Sequence, residues 1–144
     1  IYSSNFSIGV NLFFEMNKYL ARLMNDKTDY VASITEIHHT HKIDAPSGTA
    51  VTLAKDLISN HPTYSSWKLT GQSENMEKSD LPISAIREEN VPGTHLISYT
   101  SEIDTLTIEH RAHHRKGFAL GAIIAAEFIH KKKGVYTMSD ILKF

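Results

Sequence analysis

Thr105-Leu106-Thr107-Ile108-Glu109-His110-Arg111-Ala112-His113 alternates hydroxylic or charged residues with apolar ones or histidine. That period of two marks a strand whose two faces meet different surroundings. Working outward, Ile83–Glu88 and Thr94–Ser101 read as two more strands, and Glu102-Ile103-Asp104 makes the tight link into the third. Tyr30 to about His39, with Val31, Ile34, Thr35 and Ile37, reads as a further strand ending in histidines. Between it and the strand at 83 lies a helix: Ser47 stands at the N-cap position, and Val51, Ala54, Leu57 and Ile58 form one stripe. Asn60-His61-Pro62 ends that helix, with His61 read as a sheet or surface residue, and Thr63–Asp80 reads as a long polar loop, Trp67 its only large anchor, with room for one short strand. Helical spacing also covers Gly9–Asn25, N-capped by Ser7, and Gly117–Lys132, closed by Lys131-Lys132-Lys133-Gly134. Ser139–Phe144 adds a short helical turn. The expected fold is α+β, a mixed sheet of about four strands with helices on one face.

The chain has 144 residues, enough for one domain with its own core. Lys+Arg 15 against Asp+Glu 16 argues against nucleic acid or an anionic membrane held through bulk charge. Zero cysteines exclude disulfides and thiolate metal sites, and no apolar run reaches the ~18 residues of a membrane span. The start, Ile1-Tyr2-Ser3-Ser4, has no Met and no secretory or transit pattern. The expectation is a cytoplasmic protein, cut or processed from a longer polypeptide.

Chemistry concentrates in Glu36-Ile-His38-His39-Thr-His41-Lys42-Ile-Asp44-Ala-Pro46-Ser47-Gly48-Thr49-Ala50. Imidazoles, an ammonium and a carboxylate share one strand-to-loop segment that delivers the chain into a helix start. The first amides of that helix, at Gly48 and Thr49, lack intrahelical acceptors and suit a carboxylate or phosphate oxygen. A proton donor near neutral pH thus sits beside an anion cradle, which fits an enzyme acting on a small anionic substrate. Two other readings compete. His38, His39 and His41 could ligate a metal with His113 and His114. On an extended segment, however, only His39 and His41 share a face, and no acidic or Cys ligand stands at a recognised spacing, so no metal site is assigned. Alternatively, the histidines are polar strand-end residues and Ser47 is only a cap.

The same fifteen residues resemble the signature E-x-H-H-x-x-K-x-D-A-P-S-G-T-A of the dihydrodipicolinate reductase family, which serves diaminopimelate and lysine biosynthesis. Asn5-Phe6-Ser7-Ile8-Gly9-Val10-Asn11, the trio Arg87, Gly93 and His95, and Met138-Ser-Asp-Ile-Leu resemble further family segments. The resemblance implies an oxidoreductase that passes hydride from NADH or NADPH to a cyclic imine dicarboxylate. It places His38 as the acid/base residue and Lys42 as second proton donor. His39, Lys42, Ser47, Gly48 and Thr49 become substrate contacts, and Ser3, Ser4, Asn5 and Phe6 a hinge touching the nicotinamide. It also implies a homotetramer built through the sheet, with the strands of 83–113 packing on neighbouring copies.

The expected organisation is a hinge at 1–6, a substrate-binding and oligomerisation domain at 7–115, and a C-terminal helical segment at 116–144. That last segment would return to a nucleotide-binding domain and leave an apolar face where the domain is absent. The glycines at 9, 48, 71, 93, 117, 121 and 134 cannot form G-x-G-x-x-G, so a cofactor-binding domain is missing from this chain and the chain alone should not turn over. A non-catalytic small-anion-binding or oligomerisation module is the alternative. One departure from the family pattern stands out: Arg87 is followed by Glu88-Glu89, where the family has a glycine two residues after the arginine.

Overall fold

The computed structural model describes residues 1–71 and 75–144. In chain order the elements are α1 (Ile8–Met24), β1 (Val31–His38), α2 (Gly48–Asn60), β2 (Ser66–Leu69), β3 (Asp80–Arg87), β4 (Thr94–Thr100), β5 (Thr105–Arg111), α3 (Lys116–Ile129) and α4 (Met138–Leu142). The sheet runs β2-β3-β1-β4-β5. It is mixed: β1 is parallel to β3 and β3 to β2, while β4 is antiparallel to both β1 and β5.

The fold is α+β with five strands rather than about four. The added strand, β2, is the one short strand that the long polar stretch had room for; the 72–74 part of that stretch falls outside the described residues. β2 is only Ser-Trp-Lys-Leu, too short for periodicity to mark, and its pairing with β3 at the sheet edge defines it. β3 begins at Asp80, ahead of Pro82. At Pro82 the strand is paired only with β2, and pairing with β1 starts at Ile83, so the missing proline N–H breaks no ladder to β1.

One sheet face carries Ala32 and Ile34 of β1, Leu81 and Ile83 of β3, and Ile97 and Tyr99 of β4, all fully buried. Against it lie Val10, Phe13 and Phe14 of α1 and Leu53 and Leu57 of α2, which complete the core. Ser7 caps α1 through Val10 N, and Ser47 caps α2 through Ala50 N. The opposite face of the sheet bears Ser33, Thr35, Ser98 and Thr107, with Val31 and Ile86 exposed. The β5 face with Ile108 and His110 is turned towards α1, and the hydroxyl-rich face is not covered by these helices.

Three further expectations need correcting. β1 stops at His38, and residues 39–42 turn, with Lys42 N donating to His39 O at 3.1 Å; His39 and His41 therefore share no strand face. The C-terminal end of α3 comes at Ile129, and Lys131, with φ 62°, takes the left-handed position rather than Gly134 closing the helix. His61, read as a sheet or surface residue, is buried, stacked near Tyr99 and tilted against Tyr64. Leu120 and Ile123 of α3 are 55% and 56% exposed, as the expected apolar face requires.

Candidate active site

The parallel pairing of β1 with β3 sets His38 beside Arg87, and the antiparallel pairing of β1 with β4 sets Glu36 beside His95. Because His38 and Glu36 are two residues apart on one strand, all four side chains emerge on the same face. Glu36 is fully buried, and both of its oxygens accept from Ser47 N, at 3.1 and 3.0 Å. Arg87 donates through Nη2 to Glu36 Oε1 at 3.3 Å and to Asp44 O at 2.7 Å, and through Nε to Lys42 O at 3.4 Å. A buried carboxylate and one guanidinium thereby fix both ends of the segment between β1 and α2. The Ala45–Pro46 peptide within it is cis.

His38 is buried, with Nδ1 at 3.5 Å from Glu36 Oε2 and no hydrogen-bond partner. Its Nε2 edge passes over Gly93, where a Cβ would come within 3.1 Å of the ring. Glycine is therefore the residue that lets the β3–β4 loop approach this imidazole. Burial pulls the His38 pKa below its ordinary value, and the neighbouring Glu36 opposes that pull. The His95 ring stands edge-on to His38 at 5.0 Å, with Nε2 at 3.2 Å from Ser47 Oγ. Burial pushes its pKa down to about 3, so His95 is a neutral hydrogen-bonding group under ordinary conditions.

Ser47 is thus spent on structure. Its amide meets Glu36, and its hydroxyl caps Ala50 N and touches His95. With Ala50 N capped, Gly48 and Thr49 carry the amides that no intrahelical acceptor reaches. Lys42 Nζ meets Asp44 Oδ1 at 2.8 Å, and this contact holds the Asp44 carboxyl below its usual range.

A cavity of about 510 Å³ brings these groups together, lined by His38, His39, Lys42, Ser47, Gly48 and Thr49. Ser4, Asn5, Phe6, Asp44, Pro92, Arg115 and Phe118 complete its lining, so the one carboxylate on its wall is the Asp44 group already paired with Lys42. The segment ahead of α1 is tied to α2 through Asn5 Nδ2, which donates to Thr49 Oγ1 at 3.2 Å. Ser3 does not line this cavity; it faces a separate one between the chain start, α1 and α2, and its hydroxyl donates to Asn5 O. Arg115 Nη2 lies 3.0 Å from His39 Nε2, so that nitrogen accepts and the ring is neutral. Partial burial, then Arg115, pulls the His39 pKa down.

The sequence reading did not single out Glu36, Arg87, His95 or Arg115 for the site. Glu36, Arg87 and His95 stood inside quoted motifs, but only the strand register reveals what they meet. Glu36, His38 and His95 also bring three possible ligand atoms within 4.8 Å of one another. The carboxylate among them is already matched by Arg87 and the Ser47 amide, so the trio reads as a proton and charge network. Next to the Glu88-Glu89 departure, Asn90, with φ 61°, takes the left-handed conformation that Asn tolerates.

Comparison with known proteins identifies the family. The family model described as dihydrodipicolinate reductase, C-terminus, matches residues 9–142. The chain belongs to the dihydrodipicolinate reductase C-terminal family. It is 49% identical over 142 residues to the 4-hydroxy-tetrahydrodipicolinate reductase of Christiangramia forsetii, a match covering 99% of this chain and 58% of that one. Identity to the enzyme of the same name from Methanopyrus kandleri is 38%, covering 99% and 52%. A solved structure, the dipicolinate-bound dihydrodipicolinate reductase from Paenisporosarcina sp. TG-14, superposes with a TM-score of 0.64 at 26% identity, over 95% of this chain and 52% of that one. The chain therefore spans a little over half the length of these reductases. Among the described residues no helix is long and apolar enough to cross a membrane.

Proposed function

We propose that this chain is the substrate-binding half of a 4-hydroxy-tetrahydrodipicolinate reductase, acting on a cyclic imine dicarboxylate in diaminopimelate and lysine biosynthesis. The observation that carries the reading is one cavity shared by the His38 imidazole, the Lys42 and Arg115 cations and the helix start at Gly48 and Thr49. One carboxylate of the ring lies on the Gly48 and Thr49 amides, strengthened by the positive end of α2. Lys42 and Arg115 balance the second negative charge. Two charges on a rigid ring, each with its own partner, fix the ring's orientation and supply the effective concentration that positioning brings.

His38 holds the transferable proton on Nε2, the ring nitrogen not sealed against Glu36. The empty site pulls the imidazole towards its neutral form; a bound dianion favours the protonated form. His38 is thereby charged when substrate is present, and it gives its proton to the ring carbon beside the one reduced. Lys42, within the same cavity, is the second donor. A nicotinamide cofactor, NADH or NADPH, supplies the hydride when bound. Ser4, Asn5 and Phe6 are the residues here that fit its nicotinamide end, since they share the cavity wall with His38. The glycine pattern offers no pyrophosphate cradle, so the rest of the cofactor belongs to the half of the enzyme outside this chain. The hydroxyl-rich open face of the sheet is the surface through which a homotetramer would form.

Calorimetry with pyridine-2,6-dicarboxylate tests the site in this chain, and absence of binding at millimolar ligand refutes it. Fusing the upstream half of the Christiangramia forsetii enzyme to this chain tests the reaction. We expect NAD(P)H oxidation with the cyclic imine substrate, and a fall of about 10²-fold or more in turnover on His38→Ala or Lys42→Ala with far smaller change in KM. Ligand binding with no turnover in the fusion would instead mark a non-catalytic anion-binding module.

A further inference from the structure

We infer that Glu36 is a positioning residue for the proton transfer: its carboxylate holds His38 in the Nδ1–H form and at the same time fastens the turn that presents the Gly48 and Thr49 amides. The inference rests on the reading of His38 as proton donor. Three observations on the page lead to it. Glu36 is a wholly buried carboxylate whose oxygens are shared between the Ser47 amide, Arg87 and the His38 side. The buried Nδ1 of His38 has no hydrogen-bond partner, and Glu36 Oε2 stands 3.5 Å from it, a separation of the kind that tightens in a substrate complex. The Ser47 amide, fixed by the same carboxylate, immediately precedes the two amides that line the cavity.

An imidazole that is to give up the proton on Nε2 must keep the other on Nδ1, and an acceptor there both selects the tautomer and stabilises the imidazolium. The groups facing His38 are Glu36 from its own strand, His95 from β4, Arg87 from β3, and Lys42 and Asp44 from the following turn. Lys42 and Arg87 oppose protonation, and neutral His95 accepts no charge. Of the two carboxylates, Glu36 is the one placed behind Nδ1. Arg87 has a complementary part, since it balances the carboxylate and pulls the 42–44 carbonyls against β3.

The test is nitrogen-15 NMR of His38 in the 144-residue chain, with and without pyridine-2,6-dicarboxylate, for the unaltered protein and Glu36→Gln. The glutamine can still accept from the Ser47 amide but removes the charge. In the unaltered protein the neutral form should carry its proton on Nδ1; a dominant Nε2–H form overturns the inference without need of any variant. In Glu36→Gln, the His38 titration should move to lower pH, and the alkaline limb of turnover in the fused enzyme, where the donor is lost, should move with it. Turnover should fall about tenfold or more with KM within about threefold. An unchanged His38 titration in a folded Glu36→Gln protein would leave Glu36 a structural brace and overturn the proposal. Failure of the unaltered chain to bind the dicarboxylate would count against the site reading itself, and the tautomer measurement stays informative in that case.

Discussion

Replacing Gly121 by Ala sets a backbone conflict against a helix-propensity gain. A Cβ at this position would lie 1.8 Å from the Phe6 carbonyl oxygen and 2.7 Å from its carbon. Ordinary carbon contacts lie at about 3.5 Å, so the backbone at Phe6 must move away from α3 by about 1.7 Å. Overpacking of this kind costs about 1–3 kcal/mol, while Gly to Ala inside a helix gains about 1 kcal/mol. The net is a loss of up to about 2 kcal/mol, read as a lower urea midpoint at unchanged slope. Affinity for pyridine-2,6-dicarboxylate should fall as well, because Asn5 and Phe6 line the cavity and Asn5 bonds Thr49. Gly117→Ala in the same helix is the control. Its Cβ meets only Ser7 Oγ at 3.8 Å, an ordinary contact, so stability should hold or rise by a few tenths of a kcal/mol. A Gly121→Ala protein with both midpoint and affinity unchanged would refute the claim that close packing of α3 on the Phe6 backbone sets the cavity wall.

Gly48→Ala should separate stability from binding. A Cβ there meets nothing within 4 Å, so the urea midpoint should be unchanged or higher while dicarboxylate affinity measured by calorimetry drops. Because the empty site depresses the His38 pKa, dicarboxylate binding should take up protons and tighten as pH falls towards the histidine range; calorimetry in buffers of different ionisation enthalpy reads this directly. Acid stability carries a matching sign. His95 takes up its proton near pH 6.5 when unfolded but only near about 3 when folded, so the unfolded chain binds more protons between those values and stability declines as pH falls through that window. In His95→Gln, equilibrium unfolding at a series of pH values should show a shallower decline.

The local parts of this structure were legible because they depend on neighbours in sequence. Ser7 and Ser47 announce helix starts through cap geometry spanning three residues, and the alternation in 105–111 announces its strand. The site was half legible for the same reason: His38, Lys42, Gly48 and Thr49 lie on one continuous segment that folds back on itself. What surrounds them was not. Glu36 meets His95, and His38 meets Arg87, only because β1 sits between β3 and β4 with one particular register, and Arg115 arrives from residues far along the chain. The burial of His61 and the position of the short edge strand β2 were not legible on similar grounds. Each is defined by distant partners, Tyr99 for the histidine and β3 for the strand, and a four-residue strand carries too little periodicity to be seen alone. Asn90 and Lys131 took left-handed positions that glycine would have marked.

The central claim, that a ring dicarboxylate is gripped at the start of α2 with the His38 imidazole poised against it, is met most directly by a crystal structure of this chain with pyridine-2,6-dicarboxylate. The account predicts one carboxylate within about 2.7–3.2 Å of the Gly48 and Thr49 amides, the second near Lys42 or Arg115, and His38 Nε2 facing the ring. A ligand bound elsewhere, with those amides unengaged and the imidazole turned from the ring, would contradict it.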